Sequence, residues 1–456
     1  MVESTLYPVG DSASADTIPS DLQAQVVHLA SEIGCAGPIL MVMPFSAHLD
    51  PARLARAARL LVDAEPILGC WFDTKPRQPV WRRRDDLDQT EWCMVHPDQD
   101  PDDLARALLT PTPEHLSQVF RLHLLQRASG DVLMMWISHM LADSYATAEC
   151  ASLLADIYTR LGQNPDYLPE PNPAPHENEP WTADITWKDV LRIVRRDLVD
   201  ALQSRGPVHG FRRGYQAFQA AGTPAADFVR HRVRPELVSS LDRAAAARRC
   251  TRNDLLTTGL LRAFAEFAWQ GPRAKAQLGL TVNLRSYAPA RERQATCSMV
   301  GLARVTVGPD LGRSFDGTLA QATAVLRRQK KALMGAANPW MVRVLAGMSF
   351  TRKRGMVRRM IRRGMRRAMS PTFSNAGRIS AAGLRFDGVT PDDAGFLVHP
   401  VALPLFLVGA VEYQGAVTLT VCFQPSDLPR DRVRQFLERI VEEIPRDTNQ
   451  SMPEPV

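Results

Sequence analysis

The stretch Ser138-His-Met-Leu-Ala-Asp-Ser144 decides how this chain is read. It follows the apolar run DVLMMWI (131–137) and opens a segment with helical spacing, ATAECASLLADIYTRLG (146–162). FRLHLLQRASGDVLMMWISH (120–139) reads as a hairpin turning at Ser129-Gly130. His139 and Asp143 thus stand four apart where a buried strand hands over to a helix. The bland explanation is a helix-surface contact, or a core histidine satisfied by a neighbour. The alternative is catalytic. A tight strand-to-helix turn presents a side chain to a cleft and fixes its rotamer, and an imidazole with a pKa of about 6.5 is the natural general base near neutral pH. A metal would need three or four ligands. His123 could approach across the hairpin, but no further ligand appears, so no metal is expected.

A chain of 456 residues is too long for one ordinary core and suits two domains. Its 45% hydrophobic and 23% charged residues exclude a wholly disordered chain. The seven cysteines (35, 70, 93, 150, 250, 297 and 422) form no Cys-x-x-Cys, which argues against a disulfide framework or zinc site and for reduced thiols in a cytoplasmic protein. The start, MVESTLYPVGDSASADTIPSD, lacks the basic n-region and apolar centre of a signal peptide. The longest apolar run, FLVHPVALPLFLVGAV (396–411), is broken by His399, Pro400 and Pro404 and falls short of the roughly 20 residues a spanning helix needs; it reads as a pair of buried strands.

The segment NPDYLPEPNPAPHENEP (164–180) holds six prolines and is the best linker in the chain. It suggests a flexible start at 1–17, an N-terminal lobe at 18–165, a linker at 166–181, a C-terminal lobe at 182–446 and a flexible tail at 447–456. Helical and strand patterns alternate throughout. Helices are expected at 18–33, after Asp50-Pro51, at 186–204, as a pair within 237–270, at 317–334 and at 430–445. Strands are expected at 37–45, 80–85, 278–286, 298–308, 371–379 and 416–425. The class is α/β with two lobes.

SHMLADS resembles the His-His-x-x-x-Asp-Gly motif of the superfamily of nonribosomal-peptide condensation domains, chloramphenicol acetyltransferase, plant BAHD acyltransferases, wax-ester synthases and polyketide-associated acyltransferases. The second motif histidine falls on His139 and the aspartate on Asp143. Four more stretches are similar and in order: LDPARLARAARLLVDAEPILGCWF (49–72), TRNDLLTTGLLRAF (251–264), TVNLR (281–285) with SMVGLARVTV (298–307), and SNAGRI (374–379).

The resemblance implies a chloramphenicol-acetyltransferase-like fold, in which each lobe is a mixed sheet flanked by helices and a channel runs between the lobes. It implies an acyltransferase that moves an acyl group from a thioester of coenzyme A or acyl carrier protein to an alcohol or amine, with no tightly bound cofactor and no covalent acyl-enzyme. His139 would be the general base. Asp143 would point away from the channel and pair with Arg285. Ser374 and Asn375 match the stretch opposite the histidine, where either could bond the oxyanion or be part of a strand-end turn. Two positions depart from the motif: its first histidine is Ser138 and its glycine is Ser144, both candidate channel residues here. The serine at 144 is larger than the glycine thought to leave room for the thioester arm, which keeps open a catalytically silent domain that binds a carrier protein. A stand-alone condensation enzyme with two carrier-bound substrates is the other alternative. Members are often monomers, and a monomer is expected.

The net charge of +6 is concentrated in TRKRGMVRRMIRRGMRRAMS (351–370). Arginine pairs at Arg358-Arg359, Arg362-Arg363 and Arg366-Arg367 repeat every four residues, which separates a cationic stripe from a methionine-rich one on a helix. Such a helix could simply be solvated. It could also dock an acidic carrier, catch coenzyme A phosphates or touch an anionic membrane. No aromatic interleaving or binding motif points to nucleic acid. Gly-x-x-x-x-Gly-Lys-Ser/Thr, Gly-x-Gly-x-x-Gly and Gly-x-Ser-x-Gly are all absent from the sequence, which disfavours nucleotide hydrolysis, a dinucleotide cofactor and serine hydrolase chemistry.

Overall fold

The computed structural model describes residues 17–110, 118–174, 182, 184–213, 225–288, 295–309, 311 and 314–445. Fourteen strands are named in chain order: β1 (Thr17–Pro19), β2 (Pro38–Pro44), β3 (Cys70–Asp73), β4 (Val80–Arg83), β5 (Cys93–Pro97), β6 (Phe120–Gln126), β7 (Val132–Ser138), β8 (Asp227–Val233), β9 (Ala276–Asn283), β10 (Val300–Val307), β11 (Thr372–Ile379), β12 (Gly395–Val398), β13 (Leu407–Tyr413) and β14 (Ala416–Phe423). They build a small sheet β1-β4-β3, a five-stranded sheet β12-β2-β7-β6-β5 and a six-stranded sheet β10-β9-β11-β13-β14-β8. Both large sheets are mixed. The pairs β5–β6, β9–β11 and β11–β13 are parallel and the others antiparallel.

The sequences of β2 and β7 explain the centre of the first sheet. PILMVMP and VLMMWIS carry almost no polar alternation, the pattern of strands covered on both faces. Ile39, Met41, Met135 and Ile137 pack toward the helices Pro51–Ala64 and Ser144–Gln163. Leu40, Val42, Met134 and Trp136 pack the other way, against Phe228 of β8 and Cys422 of β14. This second layer joins the two lobes. In the second lobe, the helices Arg252–Phe267, Phe315–Lys330 and Arg430–Glu442 cover the six-stranded sheet through Leu256, Phe264, Leu326 and Phe436. The Thr251–Asp254 capping box fixes the start of the first of these helices.

The hairpin at 120–139 turns at Gly130, whose φ of +117° only glycine adopts comfortably and whose missing Cβ would lie 2.1 Å from the Phe45 carbonyl. The apolar run at 396–411 is two strands, but they do not pair with each other. β12 pairs with β2 in the first sheet, while β13 pairs with β11 and β14 in the second. The chain between them carries Pro400 and Pro404, which withhold ladder donors. The first lobe therefore draws on late residues: Leu384, Phe386 and Tyr413 also pack into its core. Along the linker, the Asn172 N–H donates to the Ala64 carbonyl at 2.8 Å and its side-chain amide to Glu65 at 2.9 Å. The rest of the linker, 175–181, and both expected flexible ends lie largely outside the described residues.

The arginine-rich helix spans Phe350–Gly364, so Arg366 and Arg367 lie beyond its end. Its inward contacts are Phe350, Lys353 and Val357, while Met360 is 59% exposed. Only part of the expected methionine-rich stripe packs inward: Met365, at the helix's C-cap, is buried against Ala402, Ile361 and Met369. Among the described residues no helix is long and apolar enough to cross a membrane, and none of the seven cysteines is in a disulfide. Burial pushes the Cys93 and Cys422 thiols up to about 12.

Candidate functional site

β7 ends at Ser138 and the next helix begins at Ser144. The five residues between form a turn closed by the Ser138 carbonyl, which accepts from the N–H groups of Leu141 (2.9 Å) and Ala142 (3.2 Å). Ser138 itself is buried, and its hydroxyl accepts a long bond from the Met140 N–H (3.4 Å). It is part of the turn.

His139 is half-buried, and its Nδ1 lies 2.9 Å from the Ala142 carbonyl. A carbonyl oxygen can only accept, so Nδ1 carries the proton and the neutral ring keeps its lone pair on Nε2. No hydrogen bond is made by Nε2 within the described residues. The turn thereby fixes both the ring's orientation and its tautomer.

Asp143 caps the helix that follows. Its Oδ1 accepts from the Ala146 N–H at 2.9 Å, the expected N-cap bond. Its Oδ2 accepts from Arg285 Nη1 at 2.7 Å and from the Met299 N–H at 2.8 Å. Arg285 stands on a short 3₁₀ turn after β9, so this contact crosses between the lobes. Arg285 Nη2 donates to the Cys297 carbonyl at 2.8 Å, and its guanidinium lies 4.7 Å from the centroid of the Tyr145 ring. Burial works to lower the Arg285 pKa, but the charge and hydrogen bond of Asp143 outweigh it, and the net shift is upward. The guanidinium stays charged.

A narrow cleft opens between the lobes. Ser144 lines it from the first lobe and Ser374 and Ala376 from β11, with Phe396 and Val398 of β12 and Thr418 of β14. The walls are mostly apolar. The Ser374 hydroxyl accepts from the Thr281 hydroxyl at 3.0 Å. Asn375 is placed differently from its neighbour. Its side-chain oxygen accepts from the Gly377 N–H at 2.9 Å and its amide donates to Asn253 at 2.9 Å, at a bulge in β11 where Gly377 has φ +76°. Of the four candidate channel residues, Ser144 and Ser374 line the cleft, while Ser138 and Asn375 support turns.

His123 is bonded to His96, with 2.9 Å between ring nitrogens. Among the described residues no group of three or more metal-ligating side chains forms a metal site. Of the arginines on the helix Phe350–Gly364, Arg358 approaches Glu32 (3.6 Å) and Arg359, Arg362 and Arg363 are exposed. Arg366 and Arg367 line a separate open cavity. Sequence reasoning missed the Met299 N–H, the Cys297 carbonyl and the Thr281 hydroxyl. The first two are backbone groups without a side-chain signature.

No family model matches the chain, and no curated protein matches it in sequence. Solved structures do match in fold. Trichothecene 15-O-acetyltransferase from Fusarium sporotrichioides superposes with a TM-score of 0.72 at 12% identity, covering 97% of this chain and 99% of that one. The first condensation domain of the CDA synthetase gives 0.67 at 16% identity, covering 94% and 95%. The starter condensation domain of rhizomide synthetase, solved with C8-CoA and Leu-SNAC, gives 0.64 at 12% identity, covering 94% and 93%. The chain therefore has the two-lobed fold shared by condensation domains and chloramphenicol-acetyltransferase-like acyltransferases.

Proposed function

We propose that this protein is an acyltransferase that moves an acyl group from a thioester to a hydroxyl or amine, with His139 as general base. The observation that carries the reading is the Nδ1 contact with the Ala142 carbonyl, which leaves the Nε2 lone pair for an incoming proton. In the reaction, Nε2 takes the proton of the acceptor as its oxygen or nitrogen attacks the thioester carbonyl. A tetrahedral oxyanion forms. It collapses with cleavage of the carbon–sulfur bond, and the imidazolium returns the proton to the departing thiolate. In this reading Ser374, and Ser144 from the other wall of the cleft, donate to the oxyanion. Asp143 and Arg285 act as positioning residues that hold the loop. Proton transfer of this kind contributes about 10²–10⁴-fold, and holding both substrates in one cleft adds a proximity term.

The donor is a coenzyme A or acyl-carrier thioester, and no tightly bound cofactor is required. The solved neighbours that include an acetyltransferase and a condensation domain with a bound coenzyme A thioester support this donor class. Ser144 favours a second reading, a silent domain that only docks a carrier protein, because it narrows the cleft where the motif has glycine.

The test is thiol release from a panel of acyl-coenzyme A and acyl-carrier thioesters with mixed alcohols and amines, run beside His139→Ala. Acceptor-dependent release that the substitution abolishes supports the enzyme. Release unchanged by the substitution removes His139 as base. Carrier binding without release under any donor moves the assignment to the silent domain. Whether free coenzyme A thioesters suffice separates a transferase from a condensation enzyme with two carrier-bound substrates.

A further inference from the structure

The helix Trp187–Gln203 is amphipathic in the inverted sense. Its inward face carries Ile193, Arg196 and Asp200. Arg196 reaches three carbonyls, those of Ala332 (3.0 Å), Leu333 (2.5 Å) and Ala336 (2.6 Å). Its outward face carries Trp187 (68% exposed), Leu191 (58%), Val194, Leu198 (61%) and Leu202. A helix that satisfies its polar face inside and turns a full apolar stripe to solvent forgoes the main driving force of folding.

The neighbouring helix Pro339–Gly347 repeats the pattern. Val342 packs inward in one cluster with Ile193, while Trp340, Met341 and Val344 stand outward. Leu302 of β10 and Met360 of the helix Phe350–Gly364 add to the set. Apart from Val95, Tyr145, Leu168 and Trp269, every exposed large apolar side chain among the described residues belongs to these four elements. Cations flank them: Lys188, Arg195, Arg343, Arg359, Arg362 and Arg363 are exposed.

Three of these elements, the helices 187–203 and 350–364 and β10, border an open cavity at the C-terminal ends of the two helices. Five arginines line it: Arg205, Arg212, Arg304, Arg366 and Arg367. Among the described residues none has an ion-pair partner and no carboxylate lines the cavity. The two helix ends carry about half a negative charge each and so offset roughly one of the five. Lys275 is there as well, donating to the carbonyls of Gln203 (2.8 Å) and Arg205 (3.0 Å). Leu302 and Arg304 are two apart on β10 and share a face, so the apolar stripe and the cationic cavity are continuous.

We propose that this face docks on an anionic phospholipid surface, with the outward apolar residues entering the headgroup boundary and the five-arginine cavity taking phosphodiester headgroups. Three observations favour a lipid surface over a folded partner. The apolar side chains project from the outer faces of helices instead of lining a groove. A tryptophan stands in the first turn of both helices, as at membrane interfaces. The stripe runs the full helix, about 25 Å at 1.5 Å per residue, with guanidiniums suited to phosphate beside it. The inference is independent of the chemistry at His139.

The test is co-sedimentation of the full chain with vesicles of phosphatidylcholine alone and of phosphatidylcholine mixed with phosphatidylglycerol. Binding to the mixed vesicles at least roughly tenfold stronger than to phosphatidylcholine alone, and weakened by salt, is expected. Leu198→Asp with Trp340→Asp, and separately Arg366→Ser with Arg367→Ser, should each weaken it by about tenfold or more without changing the melting temperature. Failure to sediment with the mixed vesicles overturns the proposal, as does sedimentation that neither pair of substitutions alters. A lipid-free dimer abolished by the Leu198/Trp340 pair would assign the face to a second copy instead. Displacement from vesicles by millimolar coenzyme A or inorganic phosphate, with loss of that ligand in the Arg366/Arg367 pair, would assign the cavity to a soluble phosphate compound.

Discussion

Asp143 of the first lobe and Arg285 of the second meet at 2.7 Å, and the same carboxylate oxygen accepts the Met299 N–H at 2.8 Å. One residue thus caps a helix through Oδ1 and ties the lobes through Oδ2. Breaking a buried pair costs about 3–5 kcal/mol because the remaining charge stays uncompensated. Arg285→Ala should lose stability of that order in urea unfolding. Asp143→Asn should lose a comparable amount, because asparagine still caps the helix but leaves the buried Arg285 guanidinium uncompensated. If the double substitution costs as much as the two single ones added together, the charge pair is not what matters at this junction.

Ser144 faces Ser374 across the cleft. On the acyltransferase reading, Ser144→Gly should widen the passage and raise kcat/KM for thioester donors, at a helix-stability cost of about 1 kcal/mol or less. Ser144→Leu should block the passage. Steady-state kinetics with one donor at several acceptor concentrations decide the matter, and activity indifferent to both changes would mean that substrates do not pass this wall.

Ser374 and Asn375 are adjacent in sequence and separate in role. Asn375→Ala removes the bonds to Gly377 and Asn253 and should cost about 1 kcal/mol with kcat nearly unchanged. Ser374→Ala should do the reverse, lowering kcat with little effect on melting. The opposite outcome would exchange their assignments.

Acid should loosen the contact among Asp227, Arg106 and Arg430, which links helices from the two lobes (3.1 and 2.5 Å). Burial raises the Asp227 pKa, but hydrogen bonds from Arg430, the Phe228 N–H and Arg106 hold it below the ordinary carboxylate value. The folded pKa lies below the unfolded one. The stabilisation is therefore full above about pH 4 and is lost as pH falls through the depressed folded value. Asp227→Asn should flatten that part of the stability–pH curve, measured by thermal melts from neutral to acid pH.

Much of the fold was legible because its central elements are extreme. β2 and β7 are nearly unbroken apolar runs, and Asp50-Pro51 and Thr251-x-x-Asp254 mark helix starts by their capping chemistry. The helices Pro101–Leu109 and Pro339–Gly347 carry a similar signal, Asp100-Pro101 and Asn338-Pro339, but at nine residues each they are too short for periodicity to stand out. At the site, the His139–Asp143 spacing and Arg285 were visible. What was not visible is contact made by the backbone: the Ala142 carbonyl that sets the tautomer, and the Met299 N–H that shares Asp143. The placement of Asn375 depended on a bulge, which alternation along a strand does not announce. The inverted helix at 187–203 could not be recognised either, since periodicity reveals an apolar face without saying which way it points.

The pairing of β12 with β2 has a consequence for how the chain is made. Until Gly395–Val398 leaves the ribosome, β2 is an open apolar edge. At 5–20 residues per second, the interval between completing β7 and supplying β12 is about 15–50 s. During that time the nascent first lobe presents unpaired Pro38–Pro44 backbone. A fragment ending at the proline-rich linker would keep that edge permanently, so it should aggregate when expressed alone and be rescued by co-expression with the remainder of the chain.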